Sequence, residues 1–295
     1  MIVGVLGYGF ITSHIMKHLI VRGEINRVVC VTRRAIKNIP TPLLGVQFIT
    51  VSIEVDEQEL FEALQECHVI IHGATPVVLD GGTFRDVLYA ATRTTLVMAK
   101  VANRLPNLQQ LIMISSTTCL LQPPYDGRKV DESAINWTCR DLYSQSKVIG
   151  DLVTDVLCTG STFNIVKLYV GVVLGEYDAS LVDKLPESYL FITKYLKGLV
   201  IRDMGFSVCD VNDLVQLIQL ILYNNIRGNF IVAAGVSSYA KLRKLKKDIK
   251  LLIPNSRSHF ELDNTKLLRA LPNFTYRPIA DTLSNTINEI LIREK

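Results

Sequence analysis

The sequence has no continuous apolar run of the roughly 18 residues that a membrane-spanning helix requires. The most apolar candidate, residues 214–222, is interrupted by Gln216 and Gln219. The amino-terminal residues enter an apolar segment directly, with neither the basic region nor the cleavage site of a signal peptide. The sequence therefore predicts a cytoplasmic protein that has no membrane partner.

Cysteine and histidine are sparse, and neither is arranged as a set of metal ligands. The six cysteines include no Cys-x-x-Cys pair, which favours free thiols in a reducing compartment over disulfides or a zinc site. His68 and His72 are four residues apart, but they flank Val69-Ile70-Ile71, a strand pattern in which this spacing has no helical meaning. The sequence therefore predicts no metal site.

A strong excess of either charge is also missing, since 32 Lys and Arg residues face 28 Asp and Glu residues. Six cations do fall within residues 241–250, but no aromatic side chains are interleaved there for stacking on bases. This segment is therefore interpreted as the solvated face of a surface helix, and no nucleic-acid partner is expected. With 48% hydrophobic and 20% charged residues, the composition is that of an ordinary globular protein.

What the sequence does contain is a regular alternation of strand and helix patterns over its first 170 residues. Strands are predicted at residues 1–6, 27–32, 46–51, 68–71, 111–114 and 163–168. One helix is predicted to end near residue 22. Three more are predicted at residues 58–66, 83–104 and about 141–157. Such alternation is typical of an α/β fold with a doubly wound parallel sheet, the Rossmann architecture.

The alternation loosens after residue 171. Helices are predicted at residues 186–197, 211–223, 239–250, 263–270 and 278–292, and a strand at 229–233 is predicted to return to the main sheet. We therefore expect a dinucleotide-binding domain at residues 1–170, with 205–235 returning to it. Residues 171–204 and 236–295 are expected to form a small, mainly helical substrate-binding lobe that is interleaved with the sheet.

A glycine-rich turn joins the first strand to the first helix, with the sequence Gly7-Tyr8-Gly9-Phe10-Ile11. Low side-chain bulk at a helix N-terminus lets backbone N–H groups approach a pyrophosphate. Gly7 and Gly9 fit the pattern Gly-x-Gly-x-x-Gly, whereas Thr12 takes the place of its last glycine. The position between strand and helix favours a dinucleotide site over a purely structural turn.

The second strand ends without the acidic residue that binds a free ribose 2′-hydroxyl group. Arg33 and Arg34 stand there instead. A guanidinium group suits a 2′-phosphate in both charge and fork geometry. This favours NADP(H) as the cofactor, with NAD(H) as the alternative; the competing interpretation is two solvated surface arginines.

Hydroxyl side chains follow the fifth strand, where Ser115, Ser116 and Thr117 come in succession. Ligands of parallel sheets bind at the carboxyl ends of the strands. A hydroxyl group there can donate a hydrogen bond to a substrate carbonyl and share its developing charge. The same run also fits a simple strand end or helix cap.

Tyr143 and Lys147 are four residues apart in a segment predicted to be helical. That spacing places both side chains on one face, with their Cβ atoms about 5–6 Å apart. A neighbouring ammonium group stabilises a phenolate, so Lys147 is predicted to lower the pKa of Tyr143. Tyr143 is thus a candidate general acid or base.

Together these features resemble the extended short-chain dehydrogenase/reductase family over nearly the whole chain. The resemblance is carried by residues 9–14, 56–74, 111–116, 143–147, where Tyr-x-x-x-Lys matches, and 205–213. The last of these segments is closest in style to the branch that contains dihydroflavonol reductases, related ketone reductases and nucleotide-sugar epimerases.

The resemblance assigns roles by matching position. It implies that Tyr143 donates or accepts the proton at the substrate oxygen, that Lys147 lowers the pKa of Tyr143 and holds the nicotinamide ribose, and that Ser116 orients the carbonyl. It implies cofactor binding by Gly7, Tyr8, Gly9, Phe10, Ile11, Arg33, Arg34, His72, Gly73, Ala74, Tyr143 and Lys147. Thr117 and Arg202 are the candidate substrate-binding residues, although Arg202 fits a surface charge equally well.

Several positions depart from the family pattern. Leu6 and Thr12 replace two glycines of the turn, and Ile53 replaces the acid that holds the adenine. Ala91 replaces the asparagine of the long helix, and Val170 the proline after the sixth strand. These departures concern the cofactor pocket more than the predicted catalytic residues.

The expected function is that of an NADP-linked reductase acting on a ketone, with a nucleotide-linked keto-sugar as the favoured small-molecule substrate. The alternatives are an NADPH-dependent reductase of a non-sugar ketone or aldehyde, a nucleotide-sugar epimerase or dehydratase, and a non-catalytic NADP-binding regulator. The resemblance also implies a homodimer in which residues 83–104 and 140–157 of both copies pack as a four-helix bundle.

Overall fold

The computed structural model describes residues 1–21, 25–52, 56–76, 82–122, 127–182, 185–197, 199, 205–238, 242 and 260–293. Ile53, Arg202 and nearly all of the predicted helix at 239–250, which includes the basic segment, lie outside these residues. All six cysteines lie within them, and each is a free thiol, as predicted.

Seven parallel strands form the main sheet, in the spatial order β10-β7-β5-β4-β1-β2-β3. They are β1 (Ile2–Leu6), β2 (Arg27–Thr32), β3 (Val46–Thr50), β4 (Val69–His72), β5 (Gln110–Ser116), β7 (Asn164–Val170) and β10 (Gly228–Val232). The predicted doubly wound parallel sheet is confirmed. The strand predicted at residues 229–233 does return to it, as β10 beside β7.

A second, smaller sheet has the order β11-β9-β8. Its strands are β8 (Val172–Leu174), β9 (Gly205–Asp210) and β11 (Gly235–Ser238), and a separate two-stranded pair joins β6 (Lys129–Val130) to β12 (Glu261–Leu262). Of the segment 205–235, only β10 therefore enters the main sheet. β9 pairs instead with β8 and β11, because β8 follows β7 directly and carries the chain away from the main sheet.

The helices cover the sheets and connect their strands. They are α1 (Phe10–Val21), α2 (Glu57–Leu64), α3 (Ala90–Ala102), α4 (Leu142–Leu157), α5 (Glu187–Leu196), α6 (Val211–Asn224), α7 (Thr265–Ala270) and α8 (Ile279–Arg293). The helix predicted at residues 83–104 is less regular than expected, because a π-helical turn, Arg85–Tyr89, precedes α3. None of the helices in the described ranges is long and apolar enough to cross a membrane.

The main sheet is buried on both faces, as a continuous apolar strand pattern predicts. Along β1, Val3 and Val5 pack in one hydrophobic cluster with side chains of α1 and α6, whereas Leu6 packs in another with side chains of α2 and α3. Alternate side chains of a strand point to opposite faces, so one short strand supports both layers. This sandwich fixes the carboxyl ends of β1, β4 and β5 beside one another.

Candidate active site

The carboxyl ends of β1, β4 and β5 form the edge where the predicted site residues meet. β1 lies between β4 and β2, so the chain order reverses at this point. In open α/β sheets a ligand-binding crevice forms at such a reversal. The glycine turn follows β1, His72 ends β4, and Ser116 ends β5.

Helix α4 brings Tyr143 and Lys147 to this edge. Asp141 caps the helix, and its carboxylate accepts a hydrogen bond of 2.7 Å from the backbone N–H of Ser144. The Lys147 Nζ atom lies 5.7 Å from the centre of the Tyr143 ring. The predicted helical pairing of the two side chains is therefore present.

Lys147 is only 6% exposed and is held by two oxygen atoms. Its Nζ atom donates hydrogen bonds to Thr75 Oγ1, at 2.6 Å, and to the Ile114 carbonyl, at 3.2 Å. Sequence reasoning missed Thr75, although it directly follows the predicted cofactor segment that ends at Ala74. An ammonium group has three donors, so two contacts leave one N–H group for a ligand.

The Tyr143 side chain is half-buried, and the Ser116 side chain lies close enough to its hydroxyl group to oppose the effect of burial on its pKa. Ser116 Oγ accepts a hydrogen bond of 3.1 Å from the Thr118 hydroxyl group, which leaves its own proton to donate. Ser116 and Tyr143, which were predicted to act together, are therefore neighbours at this edge of the sheet. A hydroxyl donor beside a phenol oxygen is the arrangement that orients a carbonyl oxygen between them.

The pKa of Tyr143 differs from the sequence prediction. Burial raises it to about 12, and the Ser116 hydrogen bond only partly offsets this effect. Lys147 does not overcome burial because its ammonium group is directed to Thr75 and Ile114 rather than to the phenol oxygen. Tyr143 is consequently protonated at neutral pH and can supply a proton to an acceptor.

Thr117, a predicted substrate-binding residue, is buried beside the site. Its hydroxyl group lies 2.9 Å from the Ser207 hydroxyl group of β9. The contact ties the end of β5 to the second sheet. Thr117 therefore helps to position the segment that follows Ser116.

The glycine turn has the conformation that a close approach of backbone to ligand requires. Gly7 has a φ angle of +91°, and a Cβ atom added there would lie 2.8 Å from the Ala74 Cα atom. Only glycine fits this position without strain. Tyr8 anchors the turn on its other side, where its hydroxyl group donates to the Leu181 carbonyl and its ring packs edge-on against Phe48.

Thr12 and Gly73 lie opposite each other across the turn, and the Thr12 side chain occupies the space next to residue 73. A Cβ atom added at Gly73 would lie 2.6 Å from the Thr12 methyl group, so the threonine fits because residue 73 lacks a side chain. The Thr12 hydroxyl group also accepts a hydrogen bond of 3.0 Å from the Gly9 N–H group. The departure from glycine at position 12 is therefore accommodated, and α1 still begins at Phe10 with the first N–H groups of a helix available.

Arg33 and Arg34 are exposed immediately after β2. The Thr32 hydroxyl group donates to the Arg34 carbonyl at 2.8 Å, which fixes the turn that carries them. Both cations therefore follow the carboxyl end of β2, which pairs with β1 in the main sheet.

His72 is buried at the end of β4. Its Nε2 atom lies 3.2 Å from the Thr95 hydroxyl group, and its Nδ1 atom has no hydrogen-bond partner among the described residues. Burial, followed by the charge of Lys147, lowers the pKa of His72 to about 3. The imidazole is therefore neutral at physiological pH. Among the described residues, no group of three or more His, Cys, Asp and Glu side chains is placed to hold a metal ion.

Comparison with known proteins identifies the family. The model of the NAD dependent epimerase/dehydratase family matches residues 2–235. The chain belongs to this family. The resemblance to extended short-chain dehydrogenases/reductases is thereby confirmed. Members of this family are NAD(P)-dependent oxidoreductases and epimerases. No curated protein matches the sequence.

Several solved structures share the fold of this family member. The yeast methylglyoxal/isovaleraldehyde reductase complexed with NADPH is 18% identical, with a TM-score of 0.84, and 100% of this chain and 99% of that chain are covered. Vestitone reductase from alfalfa is 18% identical, with a TM-score of 0.79 and 99% of each chain covered. The UDP-glucose 4-epimerase of Thermus thermophilus in complex with NAD is 17% identical, with a TM-score of 0.77 and 99% of each chain covered.

Proposed function

We propose that this protein is an NADPH-dependent reductase of a ketone or aldehyde carbonyl group. The observation that carries the proposal is the position of Tyr143, which is protonated, close to Ser116 and one helical turn from the buried ammonium group of Lys147, whose Nζ atom lies 5.7 Å from the Tyr143 ring centre. A phenol that holds its proton at neutral pH is suited to protonate the oxygen of a carbonyl during reduction.

The residues of the crevice fit a dinucleotide. The tight Gly7 turn and the start of α1 suit a pyrophosphate, and the exposed Arg33 and Arg34 suit a 2′-phosphate. When bound, NADPH supplies the hydride. The remaining N–H group of Lys147 is the donor for the nicotinamide ribose.

Side chains of the protein orient the substrate and transfer the proton. Ser116 donates to the substrate oxygen and fixes its position, and Tyr143 transfers its proton to that oxygen as negative charge develops there. Lys147 holds the ribose and favours the phenolate that is left behind. The roles of Ser116 and Tyr143 require their hydroxyl groups to reach the same substrate oxygen, and the proximity of the two side chains supports this.

Two classes of carbonyl compound are candidates for the substrate of this reductase. Non-sugar ketones and aldehydes are favoured by the structural similarity to the yeast and alfalfa reductases. A nucleotide-linked keto-sugar is the second candidate, supported by the similarity to the bacterial epimerase. The exposed arginines after β2 disfavour an NAD-linked epimerase or dehydratase.

The test is NADPH oxidation with three sets of compounds: aliphatic and aromatic aldehydes, ketones, and nucleotide-linked keto-sugars. We expect turnover in the first or second set and binding of NADPH by the protein alone. Turnover confined to keto-sugars would move the substrate to the second class. NADPH binding without turnover in any set, and without epimerisation of nucleotide sugars, would contradict the enzyme and favour a non-catalytic regulator.

Arg33→Ala is expected to weaken NADPH binding by at least about tenfold while changing NADH binding by less than about twofold, because only NADPH carries the 2′-phosphate. Fluorescence titration of both nucleotides measures the two dissociation constants. Arg104→Ala serves as the matched control, since Arg104 follows α3 and stacks on Phe61, away from the crevice. An equal loss of affinity for both nucleotides would contradict the proposed 2′-phosphate site.

We also propose that the protein is a homodimer assembled through α3 and α4. The two helices pack against each other, and α4 exposes the apolar side chain of Val156, which is 74% accessible. Sedimentation velocity at micromolar concentration is expected to give twice the mass of one chain. A monomer at that concentration would contradict the dimer.

A further inference from the structure

A second polar cluster lies beneath the catalytic pair. Asp151 follows Lys147 by four residues on α4, so the two side chains occupy neighbouring positions on one helix face. The Asp151 carboxylate is 9% exposed. It accepts a hydrogen bond of 2.8 Å from the Ser115 hydroxyl group. Burial raises the pKa of Asp151, and Lys167, Ser115 and Tyr169 of β7 oppose that effect.

A buried lysine completes the cluster on the side away from the site. Lys167, in the middle of β7, donates a hydrogen bond of 3.0 Å to the Asp151 carbonyl oxygen. Its Nζ atom also forms an ion pair of 2.7 Å with Asp155, whose side chain is 60% exposed. Charges of alternating sign therefore run from Lys147 through Asp151 and Lys167 to the surface.

The buried ammonium group of Lys147 donates hydrogen bonds to two oxygen atoms, and both belong to neutral groups. An ammonium group in a low-dielectric environment loses its proton unless an anion is near. Burial lowers the pKa of Lys147, and Cys119 and then Asp151, whose carboxylate stands one turn along α4, oppose that effect. Asp151 is thus the internal counter-charge of the catalytic lysine.

We propose that Asp151 is a positioning residue that keeps Lys147 protonated and, through its bond to Ser115, holds the strand end that carries Ser116. Two side chains of the site, Lys147 and Ser116, then depend on one buried carboxylate that touches neither substrate nor cofactor. This inference rests on the proposed function for its catalytic meaning, but the charge of Lys147 can be measured without any turnover.

Other titratable groups surround the pair and enter its pH dependence. Those facing Lys147 and Asp151 are His72 from β4, Cys119 after β5, Tyr143 and Asp155 on α4, and Lys167 and Tyr169 from β7. His72 is neutral, and burial raises the pKa of the Cys119 thiol to about 12, so neither competes with Asp151 as a counter-ion near neutral pH.

Asp151→Asn tests the inference, because the amide oxygen can still accept from Ser115 while the charge is removed. Lys147 should then lose its proton at lower pH. NADPH affinity declines at alkaline pH when Lys147 loses its proton, and we expect the midpoint of this decline to shift to a pH about one unit lower. Fluorescence titration of NADPH between about pH 6 and about pH 10 brackets this transition. Asp151→Glu, which restores the charge, should return the profile to that of the wild type.

Asp281→Asn is the matched control, since it makes the same change at an exposed position in the first turn of α8, outside the cluster. Its pH profile should equal that of the wild type. The double variant Asp151→Asn, Lys167→Met removes both buried charges, so that neither is left unpaired if Asp151→Asn alone does not fold. Its alkaline transition is expected to move in the same direction.

An unchanged alkaline transition in folded Asp151→Asn or in the double variant would overturn the inference and leave Asp151 as a structural residue only. Because the readout is NADPH binding, it holds whether or not a carbonyl substrate is reduced. Absence of turnover in the wild type would contradict the proposed function without affecting this result.

Discussion

Tyr143→Phe is expected to lower the turnover of carbonyl reduction by at least about 10³-fold while leaving NADPH affinity within about twofold of the wild type. The substitution removes one oxygen atom, which carries the proton for the substrate, and keeps the ring that packs near Lys147. Steady-state kinetics and fluorescence titration of NADPH measure the two quantities separately.

The control for this variant is Tyr223→Phe, the same change on the partly exposed face of α6, which should leave both quantities unchanged. Full activity of Tyr143→Phe would refute the proposed proton donor. Loss of NADPH binding together with activity would show instead that the phenol supports the crevice.

Gly73→Ala is expected to reduce the free energy of unfolding by about 1–3 kcal/mol, the usual range for overpacking a filled interior. The added methyl group would lie 2.6 Å from the Thr12 methyl group, and both residues flank the glycine turn. We also expect NADPH affinity to fall at least about tenfold, because the turn must shift to relieve the contact.

The double variant Thr12→Ser, Gly73→Ala should recover most of both losses, since serine removes the methyl group and keeps the hydroxyl group bonded to Gly9. Urea denaturation of the four proteins gives the coupling energy of the pair. Gly150→Ala is the control: its nearest neighbour would lie 3.6 Å away, and alanine favours the helix, so no loss is expected. Failure of the serine variant to rescue would show that the clash is not with Thr12.

Most of the main sheet, and the proximity of Tyr143 and Lys147, could be predicted from the sequence. Strand and helix periodicity depends on local pattern, and Tyr143 and Lys147 share one helix, so their proximity follows from spacing alone. The meeting of Ser116 with Tyr143 followed from the rule that ligands bind at the carboxyl ends of parallel strands.

What could not be predicted depends on contacts between distant segments. Thr75 reaches Lys147 from the segment that follows β4, 72 positions away in the sequence, and no local pattern marks it. The space for Thr12 is provided by Gly73, in another strand end. The pKa of Tyr143 was predicted in the wrong direction because spacing reveals a neighbouring charge but not the burial that outweighs it.

The return of β10 to the main sheet has a consequence for biosynthesis. β7 bonds to β5 on one side, and its other edge is covered by β10. A ribosome that has completed residue 170 must add about 60 more before that edge can be covered, and an open strand edge invites pairing with other chains. The nascent chain is therefore most prone to aggregation during this interval, and a fragment ending at residue 170 would keep the exposed edge permanently.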